Sequence, residues 1–283
     1  MPDVRVTRTL PYLLLLPDRE YATPAVGGAI LVREITGTGS STGTEEPQTE
    51  LSAVFASASN IGKEMIKQIR VTEADRLLRR ANHLLRWYRA VSRQPYVIEL
   101  SRAQASPFLF TAETTAIEWS EPLKYDATPE PSPANTDDIQ EAILAGLSSA
   151  AEPSVASLSM LDAEYAIKTG RFREAILFCW SAIDATFGRK YEALVDDALA
   201  EEWADARRFF RGHADIPLRH RMSAAMHLVA NRSFYREPGL WDDLSRSYDH
   251  RNAIIHNGAS ASEADAELAF SVAKRVVAIM ESC

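Results

Sequence analysis

Residues 121–136 divide the chain. They hold Pro122, Pro129, Pro131 and Pro133 with little apolar content. Proline fixes φ and removes backbone donors, so no regular element is expected to cross this stretch. A chain interrupted this way should fold as two units. Its 283 residues suit that division, and a 46% hydrophobic content is enough for a core in each. The expectation is an α+β domain over residues 1–120, a proline-rich linker over 121–136 and an all-α helical bundle over 137–283.

The first part is mixed. Residues 10–16 and 25–35 are short, apolar and partly β-branched, which predicts strands, and 51–58 read the same way. Residues 36–48 are rich in Gly, Ser and Thr with almost nothing to bury, so they are expected to form a flexible loop. A helix is predicted over 72–93, with Thr72 as N-cap and Glu73 and Asp75 at the positive helix end. Leu77, Leu78, Ala81, Leu84, Leu85, Tyr88 and Val91 recur at helical spacing and form its core stripe. Arg76, Arg79, Arg80, His83, Arg86 and Arg89 fill much of the remainder. Such a face is read as solvated or charge-neutralised rather than as an RNA surface. Residues 96–100 and 108–110 return to strand character.

Beyond Asp137 the signals are helical. Thr136, Asp137 and Asp138 open one helix. A second over 158–169 stops at Gly170, and a third follows over 172–200, with a break expected near Gly188. Ala204 to Arg211 stops at Gly212. Pro217 and Pro238 start two more helices, the latter running to Asn257 and stopping at Gly258. Ser262, Glu263 and Asp265 cap the last, to about Met280. The result is a compact bundle.

The net charge of −8 falls almost wholly in the second part, where 16 basic residues meet 23 acidic ones after residue 136. That balance argues against sequence-independent clamping of long nucleic acid, but not against a small site for one phosphate. Cysteine occurs only at 179 and 283, too few for a zinc cluster or disulfide framework, so a reducing compartment is expected. Cys179 lies among Phe178, Trp180 and Ile183 and reads as core. No apolar run approaches a membrane span, and the short run at 12–16 is fenced by Pro11 and Pro17, so the expectation is a soluble cytoplasmic protein. No metal-ligand spacing and no phosphate-binding glycine loop is present, so neither metal nor cofactor is expected.

One constellation carries chemistry. The helix that starts at Pro238 ends in Tyr248-Asp-His-Arg-Asn-Ala-Ile-Ile-His-Asn-Gly258. Asn252 and His256 are four apart and share a face. Arg251 lies five before His256, about 140° round an ideal helix, close enough for its long side chain to swing toward the imidazole. Ala253, Ile254 and Ile255 are expected to bury the other side. A cation, an amide and an imidazole beside one helix end suit phosphodiester cleavage without a metal. His256, of a residue type that titrates near neutrality, would move protons to or from a ribose 2′-OH or a leaving 5′-oxygen. Arg251 would hold the phosphate and stabilise its added charge, and Asn252 would orient substrate or imidazole. With the 2′-OH as nucleophile, RNA is cut and DNA is not. The spacing alone is common, since Arg208 and His213 repeat it. The Arg-Asn, the apolar tripeptide and the His-Asn-Gly stop set the second occurrence apart.

Arg251-Asn-Ala-Ile-Ile-His256 resembles the Arg-x4–6-His signature of the HEPN (higher eukaryotes and prokaryotes nucleotide-binding) domain family. Upstream, Tyr165-Ala-Ile-Lys-Thr-Gly-Arg-Phe-Arg-Glu-Ala-Ile-Leu-Phe-Cys-Trp-Ser-Ala-Ile-Asp184 is similar to that family's earlier helix pair. The resemblance spans about 155–282 and is nearest to the Apea-like bacterial subgroup. It implies an all-α HEPN-like helical bundle and a metal-independent endoribonuclease of toxin, phage-defence or RNA-processing type. It also implies a homodimer in which two Arg/His motifs meet, with RNA as substrate and a cognate antitoxin or regulatory protein as a further partner. Arg251 and His256 would then be catalytic, with Asn252 and Asp184 binding substrate. Some family members keep the fold without activity, so a binding or interaction module for a partner protein or nucleotide is the alternative. Two plainer readings stand beside these. A histidine in the last turn of a helix is favoured by the helix dipole, and Asp184 suits a simple ion pair or solvated carboxylate.

Overall fold

Successive strands with alternating small apolar and polar residues open the chain, and they pair into one antiparallel sheet. The structure, a computed structural model, describes residues 3–10, 14, 16–38, 45–56, 63–101, 108–112, 115–119, 137–149, 151–212 and 216–283. Among these the chain separates into two units, Met1–Pro153 and Ser154–Cys283.

The first unit carries strands β1 (Asp3–Thr9), β2 (Arg19–Ala22), β3 (Ala29–Thr38), β4 (Glu45–Ala56), β5 (Phe108–Ala112) and β6 (Thr115–Trp119), with helices α1 (Lys63–Ser92) and α2 (Asp137–Ser148). The sheet order is β2-β3-β4-β1-β5-β6. Val6, Ile30, Val32, Leu51, Ala53 and Phe55 are buried with Leu77, Ala81, Leu84, Leu85 and Tyr88 of α1 and Ile143 and Leu147 of α2. Burying one sheet face under a helix is what gives such a sheet its stability.

Several expectations need correction here. The boundary between units falls at Pro153, and α2 belongs to the first unit rather than to the bundle. The cause is packing: Ile143 and Leu147 enter the first core, and Gly146 meets the Trp87 ring so closely that a Cβ there would lie 2.3 Å from Cε3. The linker 121–136 lies outside the described residues. The expected loop over 36–48 is strand at both ends, with Thr36↔Pro47 and Thr38↔Glu45 in register. Backbone pairing needs no apolar side chains. The helix begins at Lys63, so Thr72 is interior to it and not its cap. Residues 97–100 are not strand. There the Asn82 amide donates to Leu100 O at 2.9 Å and accepts from Leu100 N at 2.7 Å.

The arginine-bearing helix is tied into its own unit. Arg80 donates to Gly27 O (2.7 Å) and Ala29 O (3.2 Å), Arg86 pairs with Glu99 and Glu152, and Arg89 is buried and donates to Pro95 O. His83, expected on the polar face, is fully buried. On β1, Arg8 is buried and donates to Ser101 O at 2.8 Å, and burial lowers its pKa to about 10.

The second unit is helical throughout its described residues. It contains α3 (Val155–Lys168), α4 (Phe172–Ala198), α5 (Ala204–Arg211), α6 (Leu218–His220), a π turn (Arg221–Ala225) continuous with α7 (Met226–Ala230), α8 (Leu240–Asn257) and α9 (Glu263–Glu281). Helix α4 is central: Ile176, Cys179, Trp180, Ile183, Phe187, Tyr191 and Val195 are all buried, and Gly188 does not break it. Cys179 is free, and burial pushes its thiol up to about 12. The helix ends read as expected: α8 stops at Gly258, where φ is +64°, and α9 starts at Ser262, which forms a capping box with Asp265. Arg207 donates to Leu199 O and Asp196 O, and Arg211 pairs with Asp196, so these arginines close the end of α4. No helix among the described residues is long and apolar enough to cross a membrane.

Candidate functional site

Helix α8 positions the site. Pro238 and Gly239 precede it, and Leu240, Leu244, Ser247 and Ile254 form its buried stripe. Trp180 of α4 donates from Nε1 to Ser247 Oγ at 3.0 Å in the interior. One residue on, Tyr248 meets Trp180 edge to face at 5.2 Å, and the Arg219 guanidinium lies 4.9 Å over the Tyr248 ring. Arg219 also donates to Ser245 O at 3.0 Å and pairs with Asp249. These contacts fix the rotation of α8 against α4 and against the 218–230 segment.

A cleft of about 470 Å³ opens between those elements. Its lining comprises Asp184, Phe187 and Gly188 of α4, Pro217, Leu218 and Arg221 of the following segment, and Tyr248 and Arg251 of α8. Two of the residues singled out from sequence, Asp184 and Arg251, therefore share one cavity. Asp184 is exposed and Arg251 half-buried. Arg251 Nη1 donates to Asn252 Oδ1 at 3.1 Å, so the amide orients the guanidinium. That is a role for Asn252 different from the expected one toward substrate or imidazole.

His256 stands apart. It is exposed in the last turn of α8 and does not line the cleft. Among the described residues no hydrogen bond joins it to Arg251. Of the tripeptide expected to be buried, only Ile254 is, and Ile255 is 46% exposed. The 3.6-residue period explains this: Ile254 continues the stripe of Leu240, Leu244 and Ser247, and Ile255 leaves it.

Arg221 also lines the cleft and is not among the residues expected from the sequence. It begins the π turn, a local widening of the helix that no cap or period announces. Its side chain is 7% exposed and its Nε has no hydrogen-bond partner. Arg219 and Tyr248 were missed as well. The signal available for the arginines was the Arg219-His-Arg221 run just after Pro217. His250, beside Arg251 in sequence, lies 3.1 Å from Asp265, whose carboxyl is held below its ordinary value by hydrogen bonds from the Ser262 backbone and side chain and, less, by His250. Among the described residues no group of three or more His, Cys, Asp or Glu side chains is placed to hold a metal ion.

Comparison with known proteins returns no matching family model, no similar curated protein and no similar solved structure.

Proposed function

We propose that the chain is a metal-independent endoribonuclease of HEPN type, acting in the cytoplasm as a toxin or phage-defence effector. The observation that carries this reading is the cleft that gathers Arg251 and Asp184, with the Arg251 guanidinium oriented by Asn252 and His256 displayed at the same helix end. Arg251 binds the scissile phosphate. His256 takes the proton of the ribose 2′-OH, the 2′-oxygen attacks phosphorus, the bond from phosphorus to the 5′-oxygen breaks, and that oxygen takes a proton from solvent water while His256 later returns its own to solvent. The products are a 2′,3′-cyclic phosphate and a 5′-hydroxyl end.

Because His256 lies outside its own cleft, the reading requires a homodimer in which a second copy brings the two motifs together. The exposed Ile255 beside His256 supplies apolar surface for that contact. A cognate antitoxin or regulatory protein is the expected further partner, covering the same helix end.

Paired expression of wild type and His256→Ala in a bacterial host tests the proposal. Growth arrest with fragmented RNA in the wild type alone supports it. The outward placement of His256 favours a second reading, a non-enzymatic module that binds a partner protein or a nucleotide. Under that reading both proteins are harmless, RNA stays intact, and a partner co-purifies with each.

A further inference from the structure

The cleft that holds Arg251 also contains a charge that no described residue answers. Arg221 is more than nine-tenths buried and lines the cavity, yet its Nε has no hydrogen-bond partner and no carboxylate among the described residues pairs with it. An arginine cannot shed its charge as a buried lysine does, so burial without an anion is strongly unfavourable. The hydroxyl of buried Tyr191, within electrostatic reach of Arg221, is likewise without a partner. The π turn that starts at Arg221 holds it there, and such turns recur at functional sites.

The same cavity restricts what the anion is. Its aromatic walls are already engaged: Tyr248 by Trp180 and Arg219, Phe187 by Tyr191 at 5.1 Å and Phe234 at 6.2 Å. Phe187 is fully buried and one face of Tyr248 already carries Arg219, so the cleft favours a compact charged group. Asp184 is exposed, where water screens its charge. Two guanidiniums, one buried and one half-buried, match a tetrahedral oxyanion through charge-assisted hydrogen bonds.

We propose that this cleft is a phosphate-binding site in which Arg221 and Arg251 hold one phosphate group, carried by an RNA backbone or by a free phosphate. Arg221 is its binding residue, distinct from the Arg251–His256 pair. The site shares Arg251 with the ribonuclease reading and goes beyond it by adding Arg221, and it does not depend on that reading, because binding needs no cleavage.

The test uses the full chain and inorganic phosphate. Calorimetric titration of the wild type, and its thermal unfolding in phosphate against chloride at equal ionic strength, are compared with Arg221→Met, Arg221→Lys and the surface control Arg246→Met. The wild type and the control should bind phosphate and unfold at higher temperature in it. Arg221→Met should bind roughly tenfold or more weakly, with Arg221→Lys between. If Arg221→Met does not fold, the wild-type shift and the Arg221→Lys titration decide. No difference between phosphate and chloride in the wild type, or equal binding by folded Arg221→Met, overturns the site. An all-2′-deoxy oligonucleotide that displaces phosphate identifies a nucleic-acid backbone as the source. Phosphate binding undisturbed by the oligonucleotide identifies a free phosphate; either supports the site. His256→Ala separates the two readings: it should lose RNA cleavage and keep phosphate binding. Cleavage by a wild type that ignores phosphate sinks the site and spares the ribonuclease.

Discussion

Trp180 Nε1 donates to Ser247 Oγ at 3.0 Å in the bundle interior, and one helical turn beyond each partner stand Asp184 and Arg251, the two residues that share the cleft. This buried hydrogen bond and the edge contact of Trp180 with Tyr248 join α4 to α8 one turn from the site.

Removing that bond should both destabilise and misalign. Ser247→Ala leaves the buried indole N–H without its acceptor, an expected loss of roughly 1–3 kcal/mol in urea unfolding. Trp180→Phe combined with Ser247→Ala should cost less than the two changes summed, because the pair acts as a unit. Strict additivity would show that the bond does not couple the helices.

The stops and caps of the second unit were legible because they are local. Gly258 needs a left-handed backbone, and Ser262 with Asp265 closes the first turn of α9 within four residues. The strand ends at 36–38 and 45–48 were not, since their pairing is made by backbone groups that any sequence carries. Residues 97–100 looked like strand from Val97 and Ile98, whereas the distant Asn82 holds both backbone groups of Leu100. At the site, Arg251 and Asp184 were found in the sequence, whereas Arg221 owes its burial to a π turn that leaves no local signature. The rotation that turns His256 out of the cleft follows from which residue continues the stripe, Ile254, a matter of packing rather than spacing.

Gly146 illustrates how the first unit recruits α2. A Cβ on this residue would lie 2.3 Å from the Trp87 ring, and an indole has no flexible end to yield. Gly146→Ala would gain helix propensity, but the overlap outweighs it, for a net loss of about 1–2 kcal/mol. Unfolding at equal or higher denaturant than wild type would contradict this packing.

The Glu152 carboxylate accepts from Arg86 Nε at 2.9 Å and lies 3.1 Å from His83 Nδ1. Burial raises its pKa, but hydrogen bonding and charge from Arg86, and then His83, outweigh that and hold it below its ordinary value of 4.5. A carboxyl lowered in the folded state stabilises above its unfolded pKa, and that contribution fades as pH falls through the folded one. The stability gap between wild type and Glu152→Gln should therefore be steady near neutrality and shrink below about pH 4.5. Urea unfolding across that range reads it, and a gap that widens on acidification would reverse the sign.

Arg251 is oriented by Asn252 and should not be replaceable by another cation. Arg251→Lys keeps the charge but loses the planar fork, so RNA cleavage should fall at least roughly tenfold with the fold intact by circular dichroism. Asn252→Ala should fall less, since it removes the orienting acceptor and not the cation. Unchanged cleavage in Arg251→Lys would place the reacting phosphate elsewhere.

Replacing His256 tests most directly the proposal that it moves the proton in an RNA cleavage that needs no metal. Purified wild type and His256→Ala are incubated at high concentration with a mixed RNA pool and with its 2′-deoxy counterpart, in excess chelator. The wild type should cut RNA to 2′,3′-cyclic phosphate ends and leave the deoxy strand whole. His256→Ala should be slower by about 10²-fold or more. Intact RNA with both proteins, or equal cleavage by both, would contradict it.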